Sequence, residues 1–321
     1  MQDIIHALES RLPKRALNPA YPHALRGIGL MVLAVSTFTC LDTTSKYLAQ
    51  HYPVAGIVFV RYIVQMLLMV IVLAPRMGLQ LVRTSNLKLQ IVRGVMLTVS
   101  SLAFLTALAR MPLAEAASIA FMTPIIIAVL AGPLLKEQVG TRTWIALAGG
   151  FTGVLLIIRP GSGFFTWAAV LPLLSALFMA FYQMLTSKLA GRDAALTTLF
   201  YPALIGTALV PLIFPTELVL PASLPHAGLF LLIGVLGGLG HFLLIQAHHY
   251  APSSILSPFM YAQLVTAIFL GWLVFGQLPD ALAFVGIATI AASGLLLILA
   301  HRRHSGAIRG QDRNYLRRER P

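Results

Sequence analysis

The sequence predicts an all-α integral membrane protein of ten transmembrane helices formed by two inverted five-helix repeats. Three observations carry that expectation: apolar stretches of helix length recur along the chain, charges are nearly confined to the gaps between them, and the chain repeats itself halfway along. Of its 321 residues, 58% are hydrophobic and 10% charged, and the mean hydropathy is +0.85. A soluble core of this length could not bury so much apolar surface, so lipid is the expected solvent. There each backbone N–H and C=O must be paired within the segment, which runs of about 20 apolar residues achieve as helices. The polar–apolar alternation of barrel strands is missing.

Read from charge to charge, the spans fall near 27–48, 53–74, 91–109, 113–135, 141–158, 165–187, 196–214, 227–247, 252–275 and 280–300. The connectors are short, with Pro, Gly or charge at their edges, as in Pro75-Arg76-Met77-Gly78, Arg159-Pro160-Gly161-Ser162-Gly163 and Pro279-Asp280, and leave no room for a soluble domain. The first 20 residues are polar, with Ile4, Ile5, Leu8 and Leu12 at helical spacing, and read as a short surface helix and not a cleaved leader. The chain thus divides into a cytoplasmic N-terminal segment (1–25), a first five-helix repeat (26–160), a second (161–301) and a basic cytoplasmic tail (302–321).

Basic residues sit on alternate loops: Arg11, Lys14, Arg15 and Arg26; Arg76, Arg83, Lys88 and Arg93; Lys136 and Arg142; Lys188 and Arg192; and the tail from Arg302 to Arg320. These are 19 of the 23 Lys and Arg. The positive-inside rule therefore places both termini in the cytoplasm, for a multi-pass protein of a bacterial inner membrane. The net charge of +13 then reads as an anchor to the anionic inner leaflet and not as a nucleic-acid surface, since topology alone demands charge there. Cys40 is the sole cysteine, so no internal disulfide forms, and no metal or cofactor site is expected.

The repeat is visible at residue level. Thr44-Ser45-Lys46-Tyr47-Leu48-Ala49 at the end of the first span returns as Thr186-Ser187-Lys188-Leu189-Ala190 at the end of the sixth. A shift of 139 places Ser118 on Ser257, Gly132 on Gly271, Leu134 on Leu273 and Gln138 on Gln277. With five helices per unit, the second must enter the membrane from the opposite side, related to the first by an axis in the membrane plane. Such a molecule opens to either face by exchanging the conformations of its halves.

Two copies of a five-helix unit, the stretch Ala109-Arg110-Met111-Pro112-Leu113-Ala114-Glu115-Ala116, a mid-helix Pro124, the loop residue Glu137 and the run Gly149-Gly150-Phe151-Thr152-Gly153 resemble EamA-type transporters of the drug/metabolite transporter superfamily. The resemblance covers roughly residues 25–300. It implies a ten-helix secondary transporter with a central cavity, moving a small polar or amphipathic metabolite such as an amino acid, a vitamin or a related organic compound, by import or export. Glu137 has Gly276-Gln277 at its second-half position, so any role of that loop need not be symmetric.

Candidate site residues are the polar groups deep in the helices, because each is costly in lipid unless it faces a partner or a water-filled cavity. Asp42 and Lys46, four residues apart, share a face of the first helix. Arg61 enters the second about two turns from the same end, at comparable depth. Two readings stand side by side: a charged triad lining a cavity, with protons as a candidate coupling ion, or a structural ion-pair network with Lys46 snorkelling outward. Asp42 has Met184 as its repeat counterpart while Lys46 keeps Lys188, and an acid present in one half alone fits a functional role. Glu115 begins the fourth helix, where the helix dipole equally favours a capping carboxylate. His241, behind Gly237-Gly238-Leu239-Gly240, is placed to bind ligand, carry a proton or bond a neighbouring helix. Gln65, Tyr182, Gln183, Tyr261 and Gln263 fall at middle or inner depth and suit either a polar solute or interhelical contacts. Ser36, Thr37 and Thr39 can bond their own backbone. Pro124 and Pro258 interrupt equivalent helices, as a binding device or a simple kink.

The glycines before His241 follow no strand, which discards a nucleotide loop. An intramembrane enzyme finds no His-Glu-x-x-His, Gly-x-Ser-x-Gly or acidic metal run, and His248 and His249 point apart on a helix. A channel calls for a repeated selectivity constriction, and a scaffold needs no internal charged cluster. Partners are then a small-molecule solute and the bilayer, with the oligomeric state left open.

Overall fold

The computed structural model describes residues 24–135, 141–158, 167–189, 192–218, 221–251 and 256–296. The surface helix expected at the N-terminus, Glu137, Arg159 and the basic tail lie outside them. The described residues form α1 (Ala24–Leu48), α2 (Val54–Met77), α3 (Leu87–Leu108), α4 (Leu113–Ala120), α5 (Thr123–Leu135), α6 (Thr141–Ile158), α7 (Leu171–Leu189), α8 (Ala195–Ile213), α9 (Leu224–Tyr250), α10 (Ala262–Phe275) and α11 (Ala281–Leu296), with 3-10 turns between several of them. Among these residues there is no strand. Six helices, α1 to α3 and α7 to α9, are long and apolar enough to cross a membrane, and four further apolar helical stretches are shorter.

Local chemistry sets the boundaries. Pro53 and Pro112 stand as N-caps of α2 and α4 with extended backbone, and α3 follows Thr84-Ser85-Asn86, a run of capping residues. Gly276 ends α10 in the left-handed conformation, φ 64°, and its N–H bonds to Trp272 O while Gln277 N–H reaches back to Gly271 O.

The fourth and ninth spans, which Pro124 and Pro258 were expected to interrupt, are broken. The fourth span stops at Ala120 and restarts at Thr123, just before Pro124, and in the ninth the 3-10 turn Ser257–Tyr261, containing Pro258, separates helical Leu256 from α10. Both prolines remove a backbone donor where the i to i−4 ladder would run, so both halves break at the equivalent place. The two breaks meet: Phe121 stacks on Tyr261 with centroids 5.0 Å apart.

Packing follows the repeat. The most extensive helix pair is α1–α9 and the next is α3–α7. The repeat carries α1 to α7 and α3 to α9, so each pair is the image of the other. The same exchange relates α2–α9 to α8–α3, and α1–α10 to the packing of α7 on α4 and α5. Small residues allow the close crossings. A Cβ on Gly153 of α6 would stand 2.7 Å from Gly286 O of α11, and one on Gly286 equally close to Gly153 O. Exposed apolar side chains such as Ile71, Phe242, Val265 and Phe269 cover the outside, while Gln65, Gln90, Arg93 and Ser100 are buried. This is the distribution lipid selects.

Candidate functional site

The α1–α2 connector and residues 214–218 and 221–223 lie at one end of the bundle, here called the first end; the α2–α3 connector and residues 192–194 lie at the second. Lys46, in the last turn of α1, is buried and does not snorkel. Its Nζ donates to Leu108 O at 2.5 Å and Met111 O at 2.6 Å, and stands 5.2 Å from the Phe275 ring centroid. α3 ends at Leu108, leaving carbonyls without intrahelical partners at the negative end of its dipole, and the ammonium meets both needs. The neighbouring charge is Glu115, in the first turn of α4. Glu115 also borders a cavity of about 130 Å³ with Arg110, Met111, Pro112, Ile157, Ile158 and Ala169.

The expected triad of Asp42, Lys46 and Arg61 is therefore divided, because the carbonyls at the end of α3 draw Lys46 away. Asp42 instead interacts electrostatically with Arg61 of α2. The charge of Arg61 also reaches His241 of α9, whose ring meets Phe38 edge-on at 5.0 Å. Gln65 is buried one turn from Arg61, and a Cβ on Gly237 would lie 3.3 Å from its Oε1. α1, α2 and α9 thus converge on Asp42, Arg61, Gln65 and His241. Among the described residues, none of these four side chains has a direct hydrogen bond or a close ion pair, and Asp42, Arg61 and His241 are only partly buried. Deep polar groups with open hydrogen-bonding capacity call for water or a solute.

Of the other candidates, Gln263 is half-buried in the first turn of α10, and Tyr261 is held by Phe121. Gln183 is exposed, about 100° round α7 from Tyr182. Thr37 and Thr39 do bond their own backbone, at Leu33 O and Val35 O, whereas Ser36 reaches Thr266 of α10.

Tyr182 belongs to a network at the second end. Arg93, read from sequence as a loop cation, is a fully buried residue of α3. Its Nε donates to Thr186 Oγ1 (2.7 Å), Nη1 to Gln90 Oε1 (2.8 Å), and Nη2 to Thr198 O (2.7 Å) and Tyr182 OH (3.1 Å). The guanidinium lies 4.7 Å from the Tyr182 ring centroid. Gln90 Nε2 continues to Asp193 Oδ2 (2.9 Å), to which Thr84 Oγ1 also donates, while Ser85 Oγ donates to Oδ1. Partial desolvation pushes the Asp193 carboxyl up, but the hydrogen bonds from Thr84, Gln90 and Ser85 outweigh it and hold the group below the ordinary carboxylate range. A signal for this network existed in the sequence: Thr84-Ser85-Asn86 is a helix-start run, which puts Arg93 two turns inside a helix.

The first end has its own cluster, which the sequence reading also passed over. Tyr52 OH accepts from Ala222 N–H and contacts His226 Nδ1, both at 2.8 Å. The His51 and His226 ring centroids are 5.1 Å apart, and Tyr47 and Phe230 complete the aromatic packing.

A bundle of apolar helices with polar groups converging at its centre defines a multi-pass membrane protein of the transporter class. The EamA-like transporter family model matches the chain twice, over residues 25–159 and 166–299, and the protein belongs to that family. Over 308 residues it is 30% identical to a riboflavin transporter of Rhizobium johnstonii, covering 95% of this chain and 96% of that one. Over 276 residues it is 31% identical to the pseudopaline exporter CntI of Pseudomonas aeruginosa, covering 85% and 94%. Over 290 residues it is 25% identical to an S-adenosylmethionine uptake transporter of Rickettsia conorii, covering 89% and 97%. The protein is accordingly a transporter and not an enzyme.

Proposed function

We propose that this protein is a secondary active transporter that moves a small polar or amphipathic metabolite by alternating access between two inverted halves, residues 26–160 and 161–301. All ten apolar segments cross the membrane in this reading, the broken fourth and ninth among them. The first end faces outward, and the second end and both termini face the cytoplasm of a bacterial inner membrane.

The observation that carries this reading is the central group of Asp42, Arg61, Gln65 and His241, whose hydrogen-bonding capacity is unused within an apolar bundle. A carboxylate, a guanidinium, an amide and an imidazole together suit a solute that carries both donors and acceptors. Phe38 and Tyr62 add aromatic surface beside them. The relatives support an organic solute of this kind, since those named above are named for riboflavin, pseudopaline and S-adenosylmethionine. One is named an exporter and another an uptake transporter, so direction is not a property of the family. Asp42 is the acid of the group and the candidate proton carrier.

Proteoliposome flux with and without a pH gradient tests the reading, after a thermal-shift screen of metabolites has supplied a ligand. The Asp42→Asn protein is expected to lose accumulation against a gradient while keeping exchange, because Asn retains shape and hydrogen bonding but cannot cycle a proton. Normal gradient-driven uptake by well-folded Asp42→Asn protein removes Asp42 from the coupling step. In a Cys40→Ala background, Gln65→Cys is expected to react with hydrophilic thiol reagents. No reaction in any condition, saturating substrate included, counts against a central aqueous pathway.

A further inference from the structure

The clusters at the two ends are images of each other, and this points to what holds each end shut. The offset of 142 that carries Lys46 to Lys188 also carries His51 to Asp193. His51 and Tyr52 lie on the connector between the first two helices of their half and touch the start of α9, the third span of the other half. Asp193 lies on the α7–α8 connector and touches Thr84, Ser85 and Gln90 at the start of α3. Each end thus has one latch, built from equivalent positions with different chemistry.

The latch at the first end joins a tyrosine hydroxyl to an imidazole, whose neutral tautomer with the proton on Nε2 accepts from it at Nδ1. Tyr52 OH accepts from Ala222 N–H, and its single proton is used when it donates to His226 Nδ1. A protonated Nδ1 has no lone pair to accept that proton, so the hydroxyl is left to accept twice and donate nowhere. The titratable groups around the His226 ring are Tyr47, His51 and Tyr52. Among the described residues no Asp, Glu, Lys or Arg side chain forms a hydrogen bond or ion pair with it, and Glu217 lies half-buried on the preceding connector. Proton uptake there therefore meets a second histidine at 5.1 Å and no carboxylate. Histidine is the side chain whose charge changes in the mildly acidic range. The latch at the second end contains no imidazole: its charges are Arg93 and Asp193.

We infer that the Tyr52–His226–His51 cluster is a proton-released latch on the first end, so that mild acid opens this end alone. The inference rests on the alternating-access reading, because a latch has meaning only where the end it closes must open.

The test uses the full chain in nanodiscs, in a Cys40→Ala background, with spin labels at exposed positions beside the latches: Gln50→Cys with Leu224→Cys at the first end, and Lys88→Cys with Arg192→Cys at the second. Between about pH 7.5 and about pH 5.5, the longer-distance population of the first pair is expected to rise about threefold or more, and that of the second pair to stay unchanged. His226→Gln keeps an acceptor without titrating and is expected to abolish the rise. Tyr52→Phe, with the imidazole intact, is expected to show the longer distance at both pH values. An unchanged first pair, a rise that persists in His226→Gln, or equal opening at both ends overturns the inference. Because the distances are read without substrate or gradient, absence of solute flux from the same protein counts against the transport reading and leaves the distances to judge the latch.

Discussion

The two ends of the bundle perform one structural task with different chemistry. At the second end a buried guanidinium, an amide and a carboxylate join α3 to α7 and α8 through a continuous chain of hydrogen bonds. At the first end one shared tyrosine hydroxyl and edge-to-face ring contacts join the α1–α2 connector to α9. Inversion of a repeat preserves where a latch must lie, namely a connector against the start of a long helix. It does not preserve the side chains: the position of His51 at the first end holds Asp193 at the second. The comparison teaches that symmetry in this fold resides in backbone placement and does not extend to the side chains that join each connector to its helix.

The largest test of that comparison is Arg93→Ala. Truncation removes the donor shared by Gln90 Oε1, Tyr182 OH, Thr186 Oγ1 and the Thr198 carbonyl. A loss of about 3–5 kcal/mol is expected, read as a lowered melting temperature and poor folded yield. Arg93→Lys is expected to recover a fraction of it, because one ammonium cannot fork to four acceptors. Should Arg93→Ala melt like the parent, the second end is not held by this network.

Lys46→Ala comes next. It leaves Leu108 O and Met111 O without their shared donor. A cost of about 2–3 kcal/mol is expected in the same melting experiment. Lys46→Met, which fills the volume without the charge, is expected to be no better.

These two residues also mark what the sequence could and could not disclose. Apolar length and charge spacing placed the long helices, since lipid leaves a chain few other options. Pro124 and Pro258 signalled both breaks. What resisted reading was the meaning of a charge inside a helix. Lys46 was expected to snorkel or to join Asp42, because on one helix the residue four positions away is the visible neighbour. Its true partners are carbonyls at the end of α3, which no side-chain pattern reports. Arg93 was placed in a loop because charge was taken to mark the membrane boundary, whereas its charge is satisfied by hydroxyls and carbonyls from three helices. Asp42, Arg61, Gln65 and His241 were each legible as deep polar residues; their convergence came only from the packing of α1 and α2 on α9.

A smaller effect separates the ends by pH. The Asp193 carboxyl is held below its ordinary range by its donors at the second end. A group so depressed contributes stability that is fully present above its unfolded value, about 4, and is lost as pH falls through the folded value. Opening of the second end is therefore expected only in strong acid, below the range in which a histidine latch responds. Asp193→Asn is expected to flatten that acid limb in a pH series of melting curves by lowering the neutral value toward the acid one. An acid limb that survives Asp193→Asn would assign it to another carboxylate.

The smallest expected effect belongs to Lys188, the repeat counterpart of Lys46. The same Thr-Ser-Lys sequence ends α1 and α7, yet Lys46 is buried and Lys188 is exposed. An exposed lysine at a helix end gains little beyond a favourable dipole interaction that water and salt screen. Lys188→Ala is expected to change stability by no more than about 0.5 kcal/mol. If symmetry extended from backbone to side chains, the twin lysines would cost the same to remove. A loss from Lys188→Ala comparable to that from Lys46→Ala would show that the second end holds an equivalent cap, and would refute the asymmetry between the ends. The double variant sharpens the result: the two lysines lie at opposite ends without shared partners, so their effects should add, and a clear departure from additivity would reveal coupling between the ends.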